Sequence, residues 1–441
     1  MSSQGPTFPI TWYHHIWRYV YSVLLFLLLP LMLFLMRKKL RMGDQKASLE
    51  NRHFSERFAL YHQGILPTDF LFHCVSVGEL NAAKGIIDGM MQRYPTKTFT
   101  VTTTSIAGAV HAKGLFKDKV QHLFLPIDLP FIVSRFIKKL APTMVCITEV
   151  EIWPNLVNLC WQRKITLCLL NARLSEQSVG MYRKFSGLYR PTLLKFDVIC
   201  AQNDISYKNF LSLGLTKHQV KLSKNTKFDI QDNPLDKDKG ESLKQRMRLE
   251  DKRILVAAST HQPEETIVLN AFKKLKQDFE DLVLIVVPRH AHRFDDVYSL
   301  CKASGFTCAR FSEQSSEVSP DILLIDAMGW LKACYSIANI AFIGGSFAPK
   351  GGHNALECAL YAKPMVMGPS IFNNPEICSQ LETCGALIIT QDDKALDKLF
   401  NTWLANPDKA YKDGLAGEQM LNANAGAVKT TLDYLQRIIS D

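Results

Sequence analysis

The residues most suited to chemistry lie in a glycine-rich segment, Gly344–Glu357, that follows a short apolar run. The run, Ile337–Ile343, predicts a strand, and a helical pattern follows the segment. Two Gly-Gly pairs allow positive φ and close approach to a ligand. Free N–H groups after Gly352 favour an anion, and Glu357 is suited to accept hydrogen bonds from ribose hydroxyls. The alternative is a βα turn that binds nothing.

Acidic residues follow two predicted strands in the first half of the chain. Glu79 lies in the segment Ser76–Leu80, and Glu149 and Glu151 lie in the segment Thr148–Asn155. A carboxylate at a strand end can act as a general base. Alternation places Glu149 and Glu151 on one face if their strand continues. The alternatives are a first-turn acid that stabilises the helix dipole for Glu79 and a helix cap for one of the other two.

Basic residues follow other predicted strands, where an anion could bind. Arg173 and Lys227 lie in the first half, and Arg289 with His290 ends a strand in the second half. A guanidinium offers a planar fork of donors to phosphate, whereas the alternative for each residue is a surface position or a partner for a nearby acid. The turn Asp326–Leu331 has a backbone that could read a base edge, or it is a simple turn.

Short β-rich runs alternate with helical patterns and must position these side chains. In the first half the predicted strands are Phe70–Val77, Thr98–Thr104, Met144–Val150, Thr166–Asn171 and Val198–Ala201. In the second half they are Arg253–Ala258, Leu282–Val287, Thr307–Phe311, Ile322–Ile325, Ile337–Ile343, Pro364–Met367 and Ala386–Ile389. This alternation predicts an α/β fold with two doubly wound parallel sheets, in which ligands bind beyond the carboxyl ends of strands.

A polar, turn-rich stretch separates the two α/β series. We therefore predict an N-terminal anchor at 1–41, a first domain at 42–228, a linker at 229–240 and a second domain at 241–441 that includes a C-terminal helix. Two such domains joined by one linker imply a cleft between them.

Composition excludes several classes of protein. The net charge is +10, but no long Lys/Arg tract indicates nucleic-acid binding. The eleven cysteines are scattered without metal-ligand spacing, so reduced thiols and no structural zinc are expected. No Asp-x-Asp motif at a strand end suggests a metal, and we expect no metal or other cofactor.

The N-terminus predicts attachment to a membrane. Residues 17–36 are apolar except for Arg18, and twenty helical residues span about 30 Å, the thickness of a bilayer core. Basic residues lie between Arg37 and Arg41, and the positive-inside rule then places the rest of the chain in the cytoplasm. A cleaved signal peptide is the alternative, but the long apolar stretch and the basic residues after it favour an uncleaved single-pass anchor.

Taken in chain order, the motifs closely resemble those of the 3-deoxy-D-manno-octulosonic acid (Kdo) transferases of lipopolysaccharide synthesis. The similarity runs from about Glu56 to the tail and includes the anchor. Its motifs are SVGE, TEVEIWPN, NARLS, KNTKFD, PRH, DAMGWL, GGSF…KGGHNALE and FNNPEI. The resemblance implies a GT-B fold, with two Rossmann-like domains facing a cleft. It also implies inverting transfer of Kdo from CMP-Kdo to lipid IVA, a lipid A disaccharide bisphosphate, at the cytoplasmic face of the inner membrane.

The resemblance also assigns roles to individual residues. It implies that Glu79 is the general base. The acceptor and Kdo region that it implies contains Ser76, Gly78, Glu149, Arg173 and Lys227. The CMP-binding set that it implies contains Arg289, His290, Ala327, Met328, Gly329, Ser346, Gly352, Asn354 and Glu357.

The chain departs from the family pattern at a few positions. Lys224 stands where the family has glycine before an Asn, Ala258 replaces the glycine before Ser-Thr-His, Trp330 replaces a Glu, and PRHPER reads PRHAHR. Two other functions stay open: a GT-B enzyme acting on another nucleotide sugar, such as an epimerase, and a catalytically silent nucleotide-binding scaffold. Preference for CMP over UDP distinguishes the first, and an activity assay distinguishes the second.

Overall fold

The computed structural model describes residues 12–40, 47–61, 64–149, 151–313 and 319–440. The chain forms two compact units. Unit 1 consists of Met1–Asp229 and Ala425–Asp441, and unit 2 consists of Ile230–Asn424. Each unit contains a seven-stranded sheet whose strands are all parallel, with helices as the connections.

Unit 1 begins with two helices before its sheet. The helices of its main segment are α1 (Trp12–Leu40), α2 (Ala47–Glu56), α3 (Val77–Arg93), α4 (Ile106–Phe116), α5 (Pro130–Leu140), α6 (Pro154–Gln162), α7 (Glu176–Lys184), α8 (Ser186–Leu193) and α9 (Asp204–Ser212). The strands are β1 (Phe70–His73), β2 (Phe99–Thr103), β3 (Gln121–Phe124), β4 (Met144–Thr148), β5 (Thr166–Ala172), β6 (Val198–Ala201) and β7 (Val220–Leu222).

The sheet of unit 1 has the strand order β3-β2-β1-β4-β5-β6-β7. Its central strands are buried on both faces, which explains why they read as continuous apolar runs. Polar residues before the helices fix where each helix begins: the hydroxyls of Ser76 and Ser105 accept the N–H groups of the first turns of α3 and α4. The order of the strands reverses between β1 and β4, so a ligand crevice is expected at their carboxyl ends.

Unit 2 repeats this architecture. Its helices are α10 (Pro234–Arg246), α11 (Glu264–Asp278), α12 (Phe294–Ala303), α13 (Leu331–Ile337), α14 (Leu356–Ala359), α15 (Pro375–Thr383), α16 (Leu396–Leu404) and α17 (Pro407–Asn424). Its strands are β8 (Arg253–Thr260), β9 (Leu282–Pro288), β10 (Cys308–Arg310), β11 (Ile322–Leu324), β12 (Ile340–Ile343), β13 (Met365–Met367) and β14 (Leu387–Ile389). The order is β10-β11-β9-β8-β12-β13-β14, so the reversal lies between β8 and β12.

The predicted doubly wound α/β fold is confirmed. Every predicted strand overlaps an observed strand, although most observed strands are shorter. Val150, predicted to end β4, lies outside the described residues. The sequence missed β3 and β7, whose three or four residues include polar ones and leave too short a pattern to recognise.

The stretch predicted as a linker is largely helical. Asn233 caps α10 by accepting the N–H of Leu235, and a proline follows at the first helical position. Gly240, read as a turn residue, lies where α10 packs on α13, since a Cβ there would fall 2.3 Å from Ser336 Oγ. The polar composition therefore reflects an exposed helix rather than a flexible connection.

The sequence predicts that the C-terminal helix belongs to the second domain, whereas the structure places it in unit 1. This helix, α18 (Ala427–Ser440), packs on α3. Leu432 and Val428 lie against Gly89 and Gly85 of α3, where an added Cβ would collide with them. An apolar face on α18 and a glycine-lined face on α3 explain why the tail returns to unit 1.

Candidate functional site

The first candidate cluster lies in unit 1, where the order of the strands reverses. Glu79 follows β1 and stands in the first turn of α3. Its carboxylate accepts the backbone N–H of Val75 at 2.6 Å and the hydroxyl of Ser76 at 3.3 Å, while the N–H of Glu79 donates to Ser76 Oγ at 3.4 Å. This capping arrangement holds the carboxylate at the mouth of the sheet in one orientation.

The environment of Glu79 favours its neutral form. Burial, together with the nearby carboxylates of Glu149 and Glu151, raises the pKa of Glu79 to about 7, although the hydrogen bonds from the N–H of Val75 and the hydroxyl of Ser76 lower it. A carboxyl group with a pKa near 7 is suited to proton transfer at neutral pH. Glu79 therefore lies in the first turn of its helix, as one of the two alternatives from the sequence expects, and its role as a general base stays a prediction.

Glu149 occupies a left-handed turn that the sequence did not predict. Strand β4 ends at Thr148, so strand alternation does not extend to Glu149 and Glu151. Glu149 has a φ of 62°, and its N–H donates to the carbonyl of Leu170 at 2.8 Å. Non-glycine residues held in this region cost about 1–3 kcal/mol and cluster at functional sites. The lysine Nζ of Lys227 lies 3.9 Å from Glu149 Oε1.

Asn171 is a site residue that sequence reasoning passed over in favour of its neighbour Arg173. Asn171 is fully buried, has a φ of 48° and accepts the N–H of Thr226 at 3.1 Å, which positions the short 3-10 helix carrying Lys227. Arg173 is exposed at the end of β5. Gly78 is exposed too, and an added Cβ would meet only Ser76 Oγ at 3.7 Å, an ordinary contact.

The second candidate cluster lies in unit 2, where β8 and β12 end, and its centre is a buried carboxylate. Glu264, at the start of α11, accepts the N–H groups of Gly345, Ser346, Phe347 and Ala348 at 2.8–3.2 Å. It also accepts the N–H of the His261 residue at 2.9 Å. The sequence did not identify Glu264; an acidic residue that opens a helix directly after a strand was the available signal.

These contacts change how the glycine loop can bind an anion. The N–H groups of 345–348 are already paired with Glu264, and the hydroxyl of Ser346 is fully buried, donates to Ile343 and accepts from Gly368. The helix expected after the loop, α14, has only four residues and so a weak dipole. As predicted, Gly352 has a positive φ of 72°, and a Cβ there would collide with Met367.

Charged side chains converge beside the loop. Arg289 is exposed at the end of β9. The Nε2 atoms of His261 and His353 are 2.9 Å apart. Burial, together with the neighbouring His261, Arg289 and His290, lowers the pKa of His353 to about 4. Cationic groups that depress one another's protonation form a site that gains from binding an anion.

Glu357 faces the same basic groups. Burial raises its pKa, and Lys332, a hydrogen bond from Asn354 and Arg289 oppose that rise. Asn354 Oδ1 also accepts the N–H of Leu356 at 3.2 Å, which fixes the turn that presents Glu357. A half-buried acceptor beside an anion site suits a sugar hydroxyl next to a phosphate.

The turn Ala327–Trp330 borders this unit's sheet at the end of β11. Gly329 has a φ of 83°, and Met328 is 63% exposed. The ring of Trp330 packs on Phe311 with centroids 4.2 Å apart, so this side chain supports the turn. Any contact of the backbone of 327–329 with a nucleotide base stays a prediction.

The sequence of the chain matches one family of known proteins. Residues 52–230 match the family model of 3-deoxy-D-manno-octulosonic-acid transferase (kdotransferase). The 3-deoxy-D-manno-octulosonic acid transferase of Haemophilus influenzae is 34% identical over 424 residues, covering 95% of this chain and 98% of that protein. The corresponding Bordetella pertussis transferase is 28% identical over 431 residues, covering 95% and 99%.

The fold has a broader set of structural neighbours. UDP-GlcNAc 2-epimerase from Neisseria meningitidis, solved bound to UDP-GlcNAc, superposes with a TM-score of 0.57 at 12% identity, covering 84% of this chain and 100% of that one. At this identity the likeness concerns the fold alone.

Proposed function

The chain belongs to the 3-deoxy-D-manno-octulosonic acid transferase family, and we propose that it moves Kdo from CMP-Kdo to lipid IVA. The observation that carries the proposal is the position of Glu79, a buried carboxylate held where the order of the strands reverses in unit 1. The net charge of +10 suits a bisphosphorylated, acidic acceptor.

In the proposed reaction Glu79 removes the proton from the acceptor hydroxyl as that oxygen attacks the anomeric carbon of Kdo. The bond from this carbon to the CMP phosphate breaks, CMP leaves with the electron pair, and the configuration inverts. The buried environment keeps the carboxylate basic enough to accept the proton. Lys227, close to Glu149, and the exposed Arg173 are proposed to bind acidic groups of Kdo or the acceptor.

The departing CMP requires stabilisation of negative charge. Arg289 and the basic side chains around His353 supply it in this proposal, while Glu357 and Asn354 hold the ribose and the backbone of 327–329 reads cytosine. Because Glu264 already pairs with the N–H groups of 345–348, we assign phosphate binding to side chains and give Ser346 a supporting role in the loop. Gly352 then allows the loop to approach the ribose.

We place the protein at the inner membrane with both units on the cytoplasmic side. Helix α1 contains the segment His15–Phe34, which is long and apolar enough to cross a membrane. Basic residues at 37–41 follow it, and such residues favour the cytoplasmic leaflet with its anionic lipids.

The direct test supplies the purified full-length protein with CMP-Kdo and lipid IVA and measures the lipid by mass spectrometry. We expect a mass increase by one or more Kdo units and release of CMP. An unchanged lipid mass would overturn the proposal. Replacing CMP-Kdo with a UDP-sugar serves as the donor control and should give no transfer.

Substitution of the proposed base separates chemistry from nucleotide binding. Glu79→Ala should lower transfer by roughly a hundredfold to ten-thousandfold, the usual contribution of a general base. Its CMP affinity, measured by calorimetry, should stay within about twofold, since the proposed CMP site lies in unit 2. Asp88 on the same helix is half-buried and pairs with Lys84, and Asp88→Asn provides the control. Near-normal turnover by Glu79→Ala would show that Glu79 is not the general base.

A further inference from the structure

Helix α1 has two faces with different partners. Arg18, Tyr21, Ser22, Leu25 and Leu29 are buried or half-buried, at the helical spacing of one continuous stripe. The stripe faces α6 and α8 of unit 1. The helix therefore lies along the unit over much of its apolar length.

Hydrogen bonds to buried polar residues of unit 1 hold the docked face of α1. Arg18 Nη1 donates to Asn155 Oδ1 at 3.0 Å, and Asn155 Nδ2 donates to Ser22 Oγ at 3.0 Å. The hydroxyl of Tyr21 donates to Asp128 Oδ2 at 3.1 Å. Asn155 and Asp128 are only 2% and 1% exposed. Buried polar groups of this kind are costly to leave without partners, so these contacts define where α1 sits.

Apolar contacts reinforce this docking. Leu25 and Leu29 pack against the core of unit 1. The indole of Trp17 covers Gly187 of α8 so closely that a Cβ there would lie 2.3 Å from it. The docked surface thus combines specific hydrogen bonds with a fitted apolar contact, as interior interfaces do.

The opposite face of α1 is exposed and apolar. Exposed fractions are 58% for Val23, 54% for Leu24, 67% for Leu27 and 65% for Phe34. Arg18, the only Lys, Arg, Asp or Glu within 15–34, belongs to the docked face. A patch of this size without charge requires a cover, and an apolar helix face beside a basic cluster fits a lipid surface.

A membrane-spanning helix is hard to reconcile with the docked face. Spanning would place the stripe from Tyr21 to Leu29 in the hydrocarbon core and take it away from the surface of unit 1 that it contacts. It would also detach Asn155 and Asp128 from their partners on α1.

We propose that α1 lies in the plane of the cytoplasmic leaflet, with its polar stripe docked on unit 1 and its outer face in lipid. The N-terminus then stays on the same side of the membrane as the catalytic units. This arrangement replaces the single-pass span predicted from the sequence, and it rests on the proposed membrane attachment.

The topology test uses the full-length protein with a protease-cleavable tag before Met1. In inside-out vesicles we expect the tag to be cleaved as readily as an identical tag after Asp441. A tag cleaved only in right-side-out preparations would show a spanning helix and overturn the inference. Absence of the protein from the membrane fraction would instead refute membrane attachment itself.

Substitutions on the two faces give a second test. Val23→Ser combined with Leu27→Ser should lower binding to vesicles of phosphatidylethanolamine and phosphatidylglycerol roughly tenfold or more, because two exposed apolar side chains leave the lipid. Ser22→Ala, on the docked face, should lower the melting temperature and leave vesicle binding within about twofold. Equal loss of vesicle binding by both variants would contradict a helix with two separate partners.

Discussion

At the level of single residues, two buried carboxylates, Glu79 and Glu264, have different surroundings. Glu79 is buried beside Glu149 and Glu151, and burial together with these two charges raises its pKa to about 7. Glu264 is buried as well, but five backbone N–H groups donate to it. Four of them belong to the glycine loop, so Glu264 holds the conformation of that loop. The hydrogen-bond donors around a buried glutamate therefore determine whether it is suited to proton transfer, as proposed for Glu79, or to holding a loop, as in Glu264.

The raised pKa of Glu79 predicts the pH dependence of transfer. A general base must be deprotonated, so kcat/KM should fall about tenfold per pH unit below a pKa of about 7 and level off above it. Glu149→Gln removes one repulsive charge and should move this acidic limb to lower pH. The measurement is kcat/KM against pH for both proteins.

The exposed residue Glu176 supplies the control for this experiment. Glu176→Gln should leave the acidic limb of the profile in place, since Glu176 is not among the groups that shift Glu79. An acidic limb that stays fixed in Glu149→Gln would mean that burial alone sets the pKa of Glu79, or that another group acts as the base.

At the level of elements, residues with positive φ lie at the carboxyl ends of several strands in both units. In unit 1, Glu149, Asn171 and Lys224 all have positive φ directly at strand ends, and in unit 2 Ser259 does. Lys224 has a φ of 65°, which explains why the family places glycine there, and its Nζ donates to the carbonyl of Ala425 at 3.1 Å. Strained backbone of this kind clusters at functional sites.

The conformation of the glycine loop and the stability of unit 2 should depend on the charge of Glu264. Glu264→Gln replaces an acceptor oxygen with an N–H₂ donor that faces backbone N–H groups. Losing charge-assisted hydrogen bonds and leaving buried donors unpaired should reduce the free energy of unfolding of unit 2 by about 3 kcal/mol or more. Urea denaturation measures this change, and calorimetry should show weakened CMP binding. The exposed Glu280 offers the control Glu280→Gln, and wild-type stability in Glu264→Gln would contradict this role.

At the scale of the whole molecule, the chain passes between the units twice, at 229–230 and again at 424–425. Asp229, the last residue of the first segment, accepts the N–H groups of Gly426, Ala427 and Val428 at the start of α18. The two chain crossings are thereby joined at one place on unit 1. The stability of unit 1 consequently depends on residues at both ends of the sequence.

Removing one side chain of α18 tests this dependence. Leu432 is buried against Gly89, so Leu432→Ala should destabilise unit 1 by about 2–4 kcal/mol. Hydrogen exchange should rise in α3 and in the strands of unit 1, with unit 2 unaffected. Lys429→Ala, an exposed change on the same helix, is the control. Equal protection of α3 from hydrogen exchange in wild type and Leu432→Ala would show that α18 contributes little to the stability of unit 1.

The sequence by itself determined the two doubly wound sheets, because buried parallel strands leave continuous apolar runs separated by helical patterns. It also placed Glu79, Arg289 and Gly344–Glu357 at strand ends, where parallel sheets bind ligands. These features are local in the chain, so pattern and motif order suffice to predict them.

Only the tertiary structure decided which groups meet. Glu264 lies some eighty residues from the N–H groups that it accepts, α18 packs on a helix more than three hundred residues earlier, and Asn155 and Asp128 hold the polar stripe of α1. Such contacts depend on which faces become adjacent after folding. The apolar composition of α1 predicts that this helix lies in nonpolar surroundings. The docked stripe shows that unit 1 supplies part of those surroundings.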